Sequence, residues 1–264
     1  MRIAHYYMVM ATLPFKDTVI THREEIARRW ALAAEPCPDD ACGPRWQLML
    51  REFLWPIEPL RRLVGPPLEI PAAQTPKTVM LLPGFGAHPI RMRWMARKLE
   101  KAGHITKKWG LGYNFGATQA RFQMVERRLV DIYRRTGTPI YLVGWSLGGV
   151  MARELAKAHP DKVAKVVTMG SPFSGSPRAN NGWRAYQAIA GHRVDEPEID
   201  TVVHEKPPVE TVAFWSPCDG IVDPRAACGK PGERDRARAL RCSHMGFVLT
   251  NEAVEAVLGE LDRD

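Results

Sequence analysis

From Thr78 onward, short apolar runs alternate with segments of helical period. "TVMLLPG" (Thr78–Gly84), "PIYLVGW" (Pro139–Trp145), "VAKVVTMG" (Val163–Gly170) and "VETVAFWS" (Val209–Ser216) are nearly apolar throughout. Runs of that length, bounded by Gly or Pro, read as strands buried on both faces. "HITKKWGL" is a more polar strand candidate. Between the runs, Ile90–Lys101 reads as a helix. Gln119–Arg135 places Phe122, Val125, Leu129 and Ile132 on one helical face, and Leu147–His159 does the same with Leu147, Val150, Met151 and Leu155. Val254, Val257, Leu258 and Leu261 line a last helix. Strands alternating with helices predict an α/β domain with a mostly parallel central sheet and helices on both faces.

Residues 1–76 follow another pattern. "HREEIARRWALAA" puts Ile26, Trp30 and Ala33 on one helical face, and "RWQLMLREF" does so with Trp46, Met49, Leu50 and Phe53. Pro56 and Pro59 then interrupt the period, and "GPPLEIPAAQTP" reads as an extended linker. The predicted organisation is an N-terminal helical extension and linker over 1–76 and a main domain over 77–264. Within that domain, about 171–208 is left over as a small cap. In this cap, Asn180–Gly191 has a lid-like helical face of Trp183, Tyr186 and Ala190.

Composition narrows the classes. The chain has 264 residues, 45% apolar and 25% charged, as in an ordinary globular protein. It holds no run of eighteen uninterrupted apolar residues. "MRIAHYYMVMATLPF" lacks a small-residue cleavage site, so a cytoplasmic location is expected. The formal charge is +8, and Arg91–Lys108 carries seven Lys/Arg against Glu100 alone. No nucleic-acid module accompanies this stretch, so it reads as a solvated helix surface and no nucleic-acid partner is expected. Cys37 and Cys42 form a lone C-x₄-C, which does not make a zinc site. Cys228 and Cys242 are expected close together, with Cys218 near a carboxylate loop; in a reducing compartment all would be thiols.

The chemistry concentrates at "LVGWSLGG" (Leu142–Gly149). Gly144-Trp145-Ser146-Leu147-Gly148 matches G-x-S-x-G, directly after an apolar run and before a helical pattern. A strand-to-helix turn this sharp leaves no room for flanking side chains. It exposes the serine oxygen above the sheet, beside the positive end of a helix dipole. Such a serine needs a base and an orienting acid. "FWSPCDGIVDP" offers Asp219 and Asp223 after an apolar run, and "RCSHMGF" offers His244 ahead of the last helix.

With these residues the chain resembles the α/β-hydrolase family, in its lipase and esterase branch, from about Lys77 to the C-terminus. "WGLGYNFG", "LVGWSLGG", "TMGSPF", "DGIVDPRAACGKPG" and "CSHMGF" look like bacterial lipase-like hydrolases of mostly unassigned substrate. The resemblance implies the order Ser, acid, His, hence Ser146 as nucleophile, Asp219 as acid and His244 as base. It implies an oxyanion hole from the backbone N–H groups of Leu147 and Phe85, although Pro83-Gly84 stands where many relatives have His-Gly. Trp145, Tyr113 and Asn114 are the expected substrate contacts. No cofactor and no metal are implied. The implied reaction is hydrolysis of an apolar carboxylic ester, small or lipid-like, through an acyl-enzyme, with short- to medium-chain acyl groups preferred because the cap is short. Two alternatives stay open: transfer of the acyl group to another acceptor, and a non-catalytic module of the same fold that binds a membrane or a protein. A peripheral lipid-surface contact through the N-terminal helices also stays open.

Overall fold

A computed structural model describes residues 22–38, 41, 43–54, 68–199 and 202–263. Two helices precede the main domain, α1 (His22–Ala33) and α2 (Trp46–Glu52). Then come β1 (Thr78–Leu82), a 3₁₀ turn (Pro89–Met92), α3 (Arg93–Ala102), β2 (Ile105–Lys108), α4 (Gln119–Thr136), β3 (Ile140–Trp145) and α5 (Leu147–Ala158). They are followed by β4 (Val163–Met169), α6 (Trp183–Ala190), β5 (Glu210–Trp215), α7 (Pro224–Cys228), β6 (Arg236–Ala239), a 3₁₀ turn (Met245–Val248) and α8 (Asn251–Leu261). The N-terminal stretch read for a signal, Cys42, Pro56 and Pro59 lie outside the described residues. Among the described residues no helix is long and apolar enough to cross a membrane.

The six strands are all parallel, in the order β2-β1-β3-β4-β5-β6. Their apolar runs follow from burial on both faces. Val79, Leu81, Val143, Trp145, Val167 and Met169 face a core shared with α3 and α8. Met80, Leu82, Ile140, Leu142, Val163 and Val166 face the opposite core, shared with α4 and α5. The predicted helical faces are the ones buried: Phe122, Val125, Leu129 and Ile132 in α4, and Val254, Val257, Leu258 and Leu261 in α8. Lys165 is the charged exception within β4. It is buried, and its ammonium donates to Glu260 O and Arg263 O at the end of α8.

Topology fixes where a ligand can sit. The chain runs β1 to β2 on one side, then returns to place β3 on the other side of β1. That reversal opens a crevice between the carboxyl ends of β1 and β3. The register keeps the strand ends aligned: Leu82 pairs with Gly144, Trp145 with Met169, Met169 with Phe214 and Trp215 with Ala239. The loops after β1, β3, β5 and β6 therefore gather on one edge.

The extension departs from its predicted packing. Ile26, Trp30, Trp46, Met49, Leu50 and Phe53 are exposed, Trp30 at 73%. The helices dock through polar groups instead. The Arg28 guanidinium donates to Gly191 O at 2.6 Å and that of Arg29 to Ile189 O at 2.6 Å. These are the last carbonyls of α6, where a cation is favoured. Gln187 Nε2 donates to Leu32 O, and Arg178 links Glu35 to Asp195. The extension thus straps the cap helix.

The corner between β3 and α5 is packed backbone to backbone. A Cβ on Gly148 would meet the Leu82 carbonyl, and one on Gly144 would meet the backbone of Gly148 and Gly149. Gly148→Ala is expected to cost about 3 kcal/mol by overpacking. Gly112→Ala, where a Cβ would meet nothing within 4 Å, should stay within about 0.5 kcal/mol of the parent. Urea unfolding of both variants checks this. Equal midpoints would contradict the packing account.

Candidate active site

Ser146 sits between the last residue of β3 and the first of α5. Its backbone has φ 54° and ψ −127°. It is the one non-glycine residue with positive φ among the described residues. A non-glycine side chain there is strained, and the surrounding bonds must hold it. They do: Ser146 N donates to Met169 O at 2.8 Å, and Ser146 O accepts from Gly149 N at 2.9 Å. Leu147 opens the helix, so its N–H has no intrahelical acceptor. The β1 loop closes in from the other side. A Cβ on Gly84 would lie 3.0 Å from the Ser146 Cβ, which puts Gly84-Phe85 directly beside the serine. Among the described residues, no protein group accepts the N–H of Phe85 or Leu147.

Asn114 is fully buried and braces this loop. Its Nδ2 donates to Pro83 O at 2.8 Å. Its own carbonyl accepts from Gly86 N at 2.7 Å, and its N–H donates to Ala87 O at 3.1 Å. The expected substrate contact from Asn114 is therefore corrected: its polar atoms are engaged by backbone, and it does not line the cavity described below. Tyr113 is corrected as well. It is 54% exposed and packs its ring on His88 and Phe115, away from that cavity.

Asp219 and His244 meet across the loops after β5 and β6. Asp219 Oδ2 lies 2.8 Å from His244 Nδ1, both groups being buried. The other oxygen, Oδ1, accepts from Ile221 N at 2.8 Å and Val222 N at 2.9 Å. Asp223, the other carboxylate of the segment, instead caps α7 by accepting from Arg225 N at 2.7 Å. Burial pushes the His244 imidazole pKa down. The charge of Asp219, its hydrogen bond and the charge of Glu52 outweigh this, and hold it above the ordinary 6.5. Trp145 steadies the loop from below, its indole Nε1 donating to His244 O at 3.0 Å.

Ser146 and His244 open onto one cavity of about 590 Å³. Its walls include Phe85, Trp145, Leu147, Phe173, Trp183 and Tyr186, so they are mostly apolar. Trp183 and Tyr186 come from α6, the expected lid-like helix, and the Tyr186 ring packs at a tilt of 52° against Phe85 with ring centroids 5.1 Å apart. The structure thus brings Ser146, His244, Phe85, Leu147 and Trp145 to one hollow, with Asp219 behind the histidine.

Cys37, Cys218, Cys228 and Cys242 are free thiols. Burial raises the Cys242 pKa well above its usual value. Cys228 lies by Arg234. The residue missed by the sequence reading is Glu52 of α2, whose carboxylate accepts from His244 N at 2.7 Å. Helical periodicity selects the apolar face of α2, and nothing in that pattern marks the glutamate as the buried side.

Residues 77–188 match the family described as the alpha/beta hydrolase fold. A pimeloyl-[acyl-carrier protein] methyl ester esterase from Aliivibrio salmonicida is 30% identical over 115 residues, 42% of this chain and 41% of that protein. The match thus spans well under half of that relative. Among solved structures, mature lipase BlEst2 of Bacillus licheniformis gives a TM-score of 0.54 at 15% identity, covering 75% of this chain and 96% of that one. The lin2722 gene product of Listeria innocua gives 0.52 at 18% identity, covering 72% and 95%. With its all-parallel sheet, strained serine corner and these likenesses, the chain has the alpha/beta hydrolase fold.

Proposed function

We propose that this protein is a serine carboxylic-ester hydrolase acting on an apolar ester. The observation that carries the reading is the convergence of a strained Ser146 and an Asp219-held His244 on one apolar cavity. The similarity to a methyl ester esterase agrees with it. With Nδ1 engaged by Asp219, His244 has Nε2 left for proton transfer. In the reaction, Ser146 Oγ attacks the ester carbonyl carbon while His244 takes the hydroxyl proton. The carbonyl oxygen becomes an anion, which the N–H groups of Phe85 and Leu147 and the start of α5 stabilise. Collapse expels the alcohol, protonated by His244. Water, deprotonated by the same base, then releases the acid and frees Ser146. Asp219 keeps the imidazole in the required tautomer and stabilises its cationic form.

A cavity of about 590 Å³ falls in the range that encloses ligands of drug size, roughly 300–1,000 Å³. The preference for a short- to medium-length acyl group rests on the short cap between Ser171 and about Pro208. Trp183 and Tyr186 of the α6 helix form part of the cavity wall.

Ser146→Ala should abolish hydrolysis of p-nitrophenyl esters and labelling by a fluorophosphonate probe, with an unchanged thermal midpoint. Asp219→Asn should cost about 10⁴ in kcat, through the wrong imidazole tautomer, and Asp223→Asn far less. The reverse order would reassign the acid.

The pH dependence follows from the imidazole. His244 must be neutral to accept the serine proton, and its pKa is raised from 6.5. The acid limb of kcat/KM should therefore have its midpoint above pH 6.5, activity falling as pH drops through it. A midpoint below 6 would contradict the His244 environment.

Across acyl lengths, kcat/KM should rise about fourfold per buried methylene, from about 0.8 kcal/mol each, and then level off where the cavity ends. A steady rise through long chains with activation at an oil–water interface would replace the esterase reading by a lipase one.

A further inference from the structure

We infer that Glu52, on the N-terminal extension, is a positioning residue that holds the loops of Asp219 and His244 in mutual register. The inference rests on the hydrolase reading above for what those loops do, but its geometry stands apart from it. Glu52 is 7% exposed. Its Oε1 accepts from Gly220 N at 2.9 Å and from His244 N at 2.7 Å. Its Oε2 accepts from Met245 N at 3.1 Å. Gly220 directly follows Asp219 in the chain. One carboxylate thus ties the backbone beside the acid to the backbone of the histidine.

The docking is built into the loop. A Cβ on Gly220 would strike the Leu48 carbonyl of α2, so only glycine lets the helix approach this closely. Asn181 adds a second tie, its Nδ2 donating to Gly220 O at 2.8 Å and to Pro44 O at 3.0 Å. The contact is polar on both sides, which is why α2 leaves Trp46, Leu50 and Phe53 exposed.

The position also matters electrostatically. The charged groups facing the His244 ring are Asp219 from the loop after β5 and Glu52 from α2; the rings of Trp145 and Phe247 pack around it. The thiol of Cys242 is buried two residues away. A second carboxylate near the imidazole favours its cationic form, the form it takes as the serine attacks. A neutral acceptor filling the same backbone donors would hold the loops without this effect on the ring.

The test uses the full chain and compares Glu52→Gln with Glu52→Asp. Glu52→Gln keeps the shape and an acceptor oxygen but removes the charge. Glu52→Asp keeps the charge on a shorter stem. Three quantities are read: the thermal midpoint, the NMR titration of the His244 imidazole, and the fluorophosphonate labelling rate of Ser146 against pH. In Glu52→Gln the titration midpoint should fall by about half a pH unit or more, and the labelling rate by about tenfold. In Glu52→Asp the titration should stay near that of the parent while labelling slows. A folded Glu52→Gln with parental titration and labelling would overturn the inference. So would equal titration shifts in both variants, or loss of folded protein in both, since either would make the carboxylate a structural filler only. An unlabelled Ser146 in the parent would overturn the hydrolase reading by itself; the His244 titration judges Glu52 without any substrate.

Discussion

Everything at the site depends on a backbone conformation that an ordinary residue avoids, the positive φ of Ser146. The sheet holds it there. Gly144 and Gly148 let α5 leave β3 with backbone against backbone, and Leu82 of the neighbouring strand fills the space a side chain would need. A strained residue persists only where its surroundings over-determine it. Here they comprise two parallel strand pairings and the bond from Ser146 N to Met169 O. Because β1 and β3 flank the reversal of strand order, the same constraint sets the serine beside the Gly84-Phe85 loop. The serine and the two N–H groups thus come together through one packing decision.

The histidine and its acid depend on a different device. Their loops leave the sheet at β5 and β6 and carry few regular backbone bonds of their own. Side chains hold them instead: Asp219 takes two N–H groups of its own loop, Trp145 reaches up to His244 O, and Glu52 spans both loops. The strap that carries Glu52 also carries Arg28 and Arg29, which cap the cavity helix α6. Roof and dyad are therefore fastened by the same N-terminal segment. The bonds of Arg28, Arg29 and Glu52 involve charged groups and are individually stronger than neutral ones.

The parts of this arrangement that follow local rules were legible in the sequence. Doubly buried strands announce themselves as apolar runs, and α4 and α8 bury the faces that their period predicts. The serine corner was legible because its glycines are required by sterics at fixed offsets. Asp219 and His244 were singled out by the chain order that the family resemblance implies, and they lie 2.8 Å apart. What failed were readings that needed three-dimensional direction. Tyr113 and Asn114 are neighbours in one glycine-rich stretch, yet one faces solvent and the other is buried as a loop brace. Glu52 was invisible because a hydrophobic period assumes that apolar residues make the contact, and α2 makes it with a carboxylate.

The central claim is that Ser146 carries the acyl group during turnover. Intact-mass spectrometry of the full chain, acid-quenched while it hydrolyses a p-nitrophenyl ester, tests it directly, with peptide mapping of the adduct. The account predicts a mass gain of one acyl group, confined to the peptide that contains Ser146 and absent from Ser146→Ala. Turnover with no adduct, or an adduct on another residue, would contradict it.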